Sequence, residues 1–224
     1  MSTHEYRTGA TAQSGALLRI ASTRLPTNWS MLEAMGFERE LWTVGRTADT
    51  ALALGLGDLS QGVPLLRVHS QCLTGEVFGS LRRDCGMQAI AQEGRGLVLY
   101  EFQEGRGIGP MAKLQAYELQ DAGIDTIEAN HALGFKADFR DFSLAAAILH
   151  DLRIPRVRLL TNTPRKVRAL SDGGIEVVER LPCEIVPTAH SLASLQTKKQ
   201  KMGHALSLEI PDPGNVTHGI EAQL

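Results

Sequence analysis

A mixed α/β domain is the fold class the sequence predicts. Short apolar runs of strand length alternate with segments of helical periodicity between residues 96 and 178. Glycine, proline and threonine stand where those helices would start and stop. No stretch rich in Pro, Gly or Ser divides the 224 residues, so they read as one domain, residues 18–205, between two tails. The tails are 1–17, small and polar, and 206–224, which contains Pro211-Asp212-Pro213-Gly214.

The elements follow in order. Residues 52–66 suggest short strands broken by Gly55, Gly57 and Gly62. Gly96-Leu97-Val98-Leu99-Tyr100-Glu101-Phe102 is a buried strand. Met111 to Ala122 is a helix whose apolar positions are Met111, Leu114, Tyr117 and Leu119, stopped at Gly123. Asp141 to Leu152 repeats the helical pattern with Asp141 as N-cap. Arg156 to Leu160 is a strand, and Thr163-Pro164 opens a helix with threonine as cap and proline in the first turn. That helix ends near Gly173-Gly174, and Ile175 to Val178 is the next strand.

Composition narrows the function. Lys and Arg number 23 against 25 Asp and Glu, a net charge of -2, which lacks the basic excess of a nucleic-acid-binding surface. A local basic pocket for one phosphorylated small molecule remains compatible with that balance. Apolar runs fall short of membrane-spanning length, and the N-terminus has no signal-peptide core, so the expected location is the cytoplasm. Three cysteines do not make a disulfide framework.

Four motifs carry chemistry. Cys72 and Cys85 stand thirteen positions apart. They read either as small buried hydrophobes or as thiolate ligands of a metal with an open position. Gln103-Glu104-Gly105-Arg106-Gly107 follows a strand and precedes a helix, where backbone N–H groups meet anions. A plain turn is the other reading. Asp138 and Arg140 flank one residue before a helix, as a shared site or as a solvated helix start. Thr161, Thr163, Arg165 and Lys166 bring hydroxyls and cations to a helix N-terminus, although capping by Thr163 explains part of the pattern.

Taken together, eight blocks resemble GTP cyclohydrolase II. They are Arg67-Val68-His69-Ser70, Cys72-Leu73-Thr74-Gly75, Asp84-Cys85-Gly86, Gln103 to Arg106, Ala129-Asn130-His131 with Leu133-Gly134-Phe135, Asp138 with Arg140-Asp141-Phe142, Leu159 to Asn162, and Thr197-Lys198 with Lys201 to His204. The resemblance implies a mixed sheet flanked by helices, a homodimer, and the first step of riboflavin biosynthesis. In that step a zinc-activated water opens the guanine imidazole ring, formate leaves, and pyrophosphate departs through a phosphoguanosine intermediate on an arginine. Mg²⁺ accompanies the triphosphate.

Carried over position by position, the resemblance implies Arg140 as nucleophile, Asp138 as its general base and Tyr117 beside the base. GTP contacts fall on Arg67, Val68, His69, Ser70, Gln71, Gln88, Glu104, Gly105, Arg106, Thr126, Thr161 and Lys166. Glu104 suits the guanine N1/N2 donor edge, and the cations suit the phosphates. The zinc positions are Cys72, 83 and Cys85, but position 83 is Arg83, which has no lone pair to donate. His69 or Cys183 would have to replace that ligand, or Arg83 pairs with Cys85 or Asp84 and replaces the metal's charge. Gln71 stands where the family usually has Glu. The segment from Gly86 to Gly94 is also about six residues shorter than its relatives, roughly 1.7 helical turns. Ring opening with formate release is thus one expectation. Cleavage of GTP to GMP and pyrophosphate alone is another, and a non-catalytic nucleotide-binding or regulatory paralogue is a third.

Overall fold

Seven strands among the described residues form one mixed sheet in the order β1-β2-β3-β5-β4-β6-β7. The strands are β1 (Ser14–Pro26), β2 (Met31–Thr43), β3 (Arg46–Leu56), β4 (Leu65–Ser70), β5 (Gly96–Glu101), β6 (Arg156–Leu160) and β7 (Glu176–Leu181). The computed structural model describes residues 14–28, 30–43, 46–73, 87–135, 140–183 and Lys199. β1, β2, β3 and β5 pair antiparallel, whereas β5, β4, β6 and β7 pair parallel. The helices are α1 (Met87–Glu93), α2 (Pro110–Asp121), α3 (Thr126–Ala132), α4 (Ser143–Asp151) and α5 (Pro164–Asp172).

Burial explains which strands the sequence announces. β4 is buried at every position and β5 at all but Tyr100, so both read as continuous apolar runs. β2 instead alternates, with Met35, Phe37 and Arg39 inward and Glu38 and Glu40 outward. β3 alternates in the same way with Asp49, Ala51 and Ala53 inward, and it runs unbroken through Gly55. Alanine, glycine and charged residues at these positions hide the period of β3, while the break expected at Gly57 and Gly62 does separate β3 from β4. β1 begins at Ser14, inside the segment expected to be a tail, because Ser14 and Leu17 pair with β2.

One face of the sheet carries the main core. Phe37, Ala53, Leu66, Val68, Leu97 and Leu99 pack there with Leu144, Ile148 and Leu149 of α4 and Leu170 of α5. A smaller cluster on the other face joins Leu65, Val98 and Leu160 to Ile90 of α1 and to Cys183. Burying such a set is the main favourable term in folding.

Two helix readings change. α4 starts at Ser143, not Asp141; the Asp141 carboxylate accepts from the Ser143 N–H at 2.9 Å and the Ser143 hydroxyl at 2.8 Å, one turn-forming step before the helix. α2 presents the opposite face from the one expected: Met111 is 67% and Leu114 50% exposed, while Lys113 and Ala116 are buried. Thr163 does precede Pro164 at the start of α5 in extended conformation, without a side-chain capping bond. Gly123 takes φ 92° just beyond α2, the left-handed geometry that stops a helix.

α5 closes against α4 through Gly173, where an added Cβ would collide with the Ala146 Cβ. Gly173→Ala is therefore expected to cost about 1–3 kcal/mol by overpacking, read as a lower midpoint in urea unfolding.

Candidate active site

The sheet reverses direction of growth around β4: α1 carries the chain from β4 to β5 on one side, and β6 lies on the other. In open α/β sheets ligands bind outside the carboxyl ends of strands at such a switch point. The residues just past β4, β5 and β6 are Gln71-Cys72, Phe102 to Gly105 and Thr161 to Thr163. The glycine-rich, cysteine and threonine motifs therefore converge at one edge of the sheet.

The backbone of Glu101 ties this edge together. Its carbonyl accepts from the N–H of Gln71 and from the N–H of Gln103, each at 2.8 Å. The chain then sends Gln103 and Glu104 into two separate clusters.

The first cluster is cationic. Lys166, on the first turn of α5, is buried and donates to the Val68 carbonyl at 2.8 Å. Its Nζ lies 5.1 Å from the centre of the Phe142 ring, and the Arg140 guanidinium lies 5.3 Å from the same ring. Phe142 thus gathers two cations at the entrance to α4, an arrangement that attracts a phosphate group. Gln103 fastens this turn: its Oε1 accepts from the Asp141 N–H at 2.9 Å and its Nε2 donates to the Asp141 carbonyl at 2.6 Å. Arg39 of β2 holds it from another side. Arg39 pairs with buried Asp49 at 3.0 Å, donates to the Ser143 hydroxyl at 3.0 Å, and lies 3.7 Å from the Asp141 carboxylate.

Beneath these cations lies Glu101, with 0% exposure. Burial pushes its carboxyl from the ordinary 4.5 up to about 8, Lys166 and then Arg140 draw it partly back, and Asp141 and Asp49 push it further up. Burial therefore favours its uncharged form.

The second cluster surrounds Cys72. The Lys113 ammonium lies 2.7 Å from Glu104 Oε1 and 3.4 Å from the buried Cys72 Sγ, and 5.6 Å from the Tyr117 ring centre. Glu104 Oε2 accepts from the Leu73 N–H at 2.6 Å. Burial pulls the Lys113 ammonium down, but the hydrogen bond to Glu104 and the fields of Tyr117, Cys72 and Glu104 outweigh it, so its pKa is raised.

Arg67 reaches across to β6, its Nη1 donating to the Leu160 carbonyl at 3.1 Å, while its buried Nε has no hydrogen-bond partner among the described residues. His69 stacks on Tyr100 at 5.6 Å between ring centres. Thr161 is buried, and its hydroxyl accepts from the Thr163 N–H at 3.1 Å, completing the turn into α5.

Of the residues expected at the site, the structure brings Arg67 to Cys72, Glu104, Tyr117, Arg140, Thr161 and Lys166 to this edge. Gly105 and Arg106 lie in a 3₁₀ turn (Glu104–Gly107), Thr126 opens α3, and Gln88 lies in the first turn of α1; nothing is described of their side chains. Asp138, Arg83 and Cys85 lie outside the described residues. Lys113, Glu101, Gln103 and Phe142 were missed as functional side chains. Lys113 hid behind an apolar helix pattern that faces outward, and Glu101 sat inside an apolar strand, where a lone acid was itself the signal.

Of the three positions that the resemblance implies for zinc, Cys72 has the Lys113 ammonium 3.4 Å from its Sγ, and Arg83 has no lone pair to contribute. Among the described residues no group of three His, Cys, Asp or Glu is arranged to hold a metal ion.

Residues 18–182 match the model of the family GTP cyclohydrolase II. The chain belongs to the GTP cyclohydrolase II family. It is 48% identical to a GTP cyclohydrolase-2 of Shewanella amazonensis over 85% of this chain and 94% of the relative. It is 49% identical to the riboflavin biosynthesis protein RibBA of Bacillus cereus, matching 85% of this chain but 48% of that longer relative. Among solved structures, RibBX, a two-domain 3,4-dihydroxy-2-butanone 4-phosphate synthase from A. baumannii, is similar at 19% identity and TM-score 0.42, over 76% of this chain and 40% of that one. GTP cyclohydrolase II membership agrees with the mixed sheet and flanking helices seen here.

Two outcomes follow from the buried charges. Lys113→Met leaves Glu104 buried without its ion-pair partner and is expected to cost about 3–5 kcal/mol, measured by urea unfolding. Glu101 gives a pH signature. Between its ordinary 4.5 and about 8 the folded chain holds a proton that the unfolded chain has released, so this group lowers stability as pH rises through that window and adds no slope above it. Glu101→Gln is expected to remove that part of the slope in unfolding curves taken across the window.

Proposed function

We propose that this chain is a hydrolase of riboflavin biosynthesis that acts on GTP, releasing pyrophosphate and opening the guanine imidazole ring with loss of formate. The observation that carries the reading is the pairing of two half-sites across the end of β5. Arg140 and Lys166 gathered on Phe142 form a phosphate-binding half, and Glu104 held by Lys113 forms a base-binding half. Relatives 48% identical over most of the chain are named GTP cyclohydrolase-2.

The residues divide the work by chemistry. Arg140 and Lys166 bind the charged phosphate oxygens and stabilise the negative charge that develops as pyrophosphate leaves. Arg67 stands between β4 and β6 as a third cation. Glu104 accepts from the Leu73 N–H and from Lys113, and a carboxylate so held suits the guanine N1 and N2 donors. Lys113 keeps that carboxylate in place. Mg²⁺ enters with the triphosphate as part of the substrate. A cytoplasmic homodimer is part of the same reading; Met111 and Leu114 of α2 and Leu18 and Ile20 of the edge strand β1 offer exposed apolar surface to a second copy. No helix among the described residues is long and apolar enough to cross a membrane.

A second reading is favoured by Lys113 at Cys72 together with arginine at position 83. In it the chain cleaves GTP to GMP and pyrophosphate and leaves the ring closed. Purified protein incubated with GTP, with and without added Zn²⁺, separates the two: formate matching pyrophosphate supports ring opening, and pyrophosphate with GMP but no formate supports the second reading. Nucleotide binding with no product at all would rule out both. Arg140→Ala is expected to slow pyrophosphate release by about a hundredfold or more. Arg83→Cys is expected to raise bound zinc per chain, measured by atomic emission.

A further inference from the structure

Glu101 has no part in the chemistry described so far, yet it is among the most deeply buried residues at the site. It is wholly buried at the last position of β5, opposite Ser70 of β4 in the parallel register and Ala51 of β3 in the antiparallel one. A lone carboxyl at such a position carries a desolvation penalty and has to be explained by what it touches. Its Oε2 accepts from Gln103 Nε2 at 3.3 Å, and its Oε1 has no hydrogen-bond partner among the described residues. Gln103 spends its other hydrogen-bonding capacity on the Asp141 backbone, so the one amide joins Glu101 to the residue next to Arg140.

We propose that Glu101 is a positioning residue for Arg140: through Gln103 it holds the 140–142 turn against the end of the sheet and keeps the guanidinium where the nucleotide phosphates bind. The inference rests on the GTP-hydrolase reading for what Arg140 does, but not for the contacts themselves. The groups that face Glu101 are Lys166 from α5, Arg140 and Asp141 from the turn before α4, and Asp49 from β3, which Arg39 of β2 neutralises. While Glu101 is neutral, it does not compete with the substrate for either cation. Once it ionises, near pH 8, an anion beneath Arg140 and Lys166 competes with the phosphates for them. A neutral acid at this point thus serves the site where an ionised one would oppose it.

The test uses the full chain, GTP with Mg²⁺, and two variants. In the wild type pyrophosphate release is expected to fall as pH rises through about 8. Glu101→Gln keeps the shape and cannot ionise, so that fall is expected to vanish; its persistence overturns the proposal. Glu101→Leu removes the acceptor for Gln103 and is expected to lower kcat by about tenfold or more, with KM for GTP altered less than kcat. An unaltered kcat in a folded Glu101→Leu protein also overturns the proposal, and if that variant does not fold, Glu101→Gln decides alone. Should the wild type release no pyrophosphate, the functional reading fails and amide hydrogen exchange decides the positioning role. The Asp141 amide, measured relative to that of Leu99, is expected to lose protection in Glu101→Leu, which removes the acceptor for Gln103, and to keep it in Glu101→Gln. A ratio in folded Glu101→Leu equal to that of the wild type would refute it.

Discussion

Two hydrogen bonds to one carbonyl organise this end of the protein. By accepting from both Gln71 and Gln103, the Glu101 carbonyl fixes the exit of β4 to the exit of β5. The tight turn that closes on this carbonyl, followed at once by the 3₁₀ turn from Glu104, delivers Gln103 and Glu104 to different clusters. One cluster gathers cations on an aromatic ring, and the other holds a carboxylate beside a lysine and a thiol. A substrate with a charged tail and a hydrogen-bonding base needs both kinds of surface a fixed distance apart. The parallel pairing of β4 with β5 supplies that spacing from the backbone, not from loops.

The electrostatic design is uneven. In the cationic cluster an arginine and a lysine share one aromatic face, and burial favours the neutral form of the acid beside them. At the thiol half, the Lys113 ammonium brings positive charge to within 3.4 Å of Cys72 Sγ. A positive side chain and a divalent ion compete for the same negative potential, so a metal held here would have to share it with the lysine.

Much of this was legible in the sequence, for identifiable reasons. β5 and β6, the start of α5 and the glycine stop after α2 carry local signals that the fold keeps. The motifs at Arg67 to Cys72, Gln103 to Glu104 and Thr161 to Lys166 fall at strand ends, as their residue types suggested. Other features depend on partners distant in sequence. The antiparallel strands β1 to β3 lack a strong apolar period, since alanine and glycine do part of the inward packing. α2 looked amphipathic in one direction and is turned the other way, because an ion pair with Glu104 draws Lys113 inward more strongly than burial of Met111 and Leu114 would hold the opposite face. The roles of Glu101 and Gln103 are invisible to spacing, since Asp141, which Gln103 joins to Glu101, lies 38 residues beyond Gln103.

Arg39 gives the N-terminal half of the sheet a place in the site. From the second strand it reaches Asp49, Ser143 and Asp141, so the turn that presents Arg140 is braced by a hairpin about a hundred residues earlier in the chain. The antiparallel strands are therefore not an appendage to a parallel nucleotide-binding core. A fragment that begins at β4 would keep every strand end lining the site, yet it would lose one of the two clamps on its arginine. The smallest unit able to present that side chain correctly extends back through β2, and the two halves of the sheet have to be inherited together.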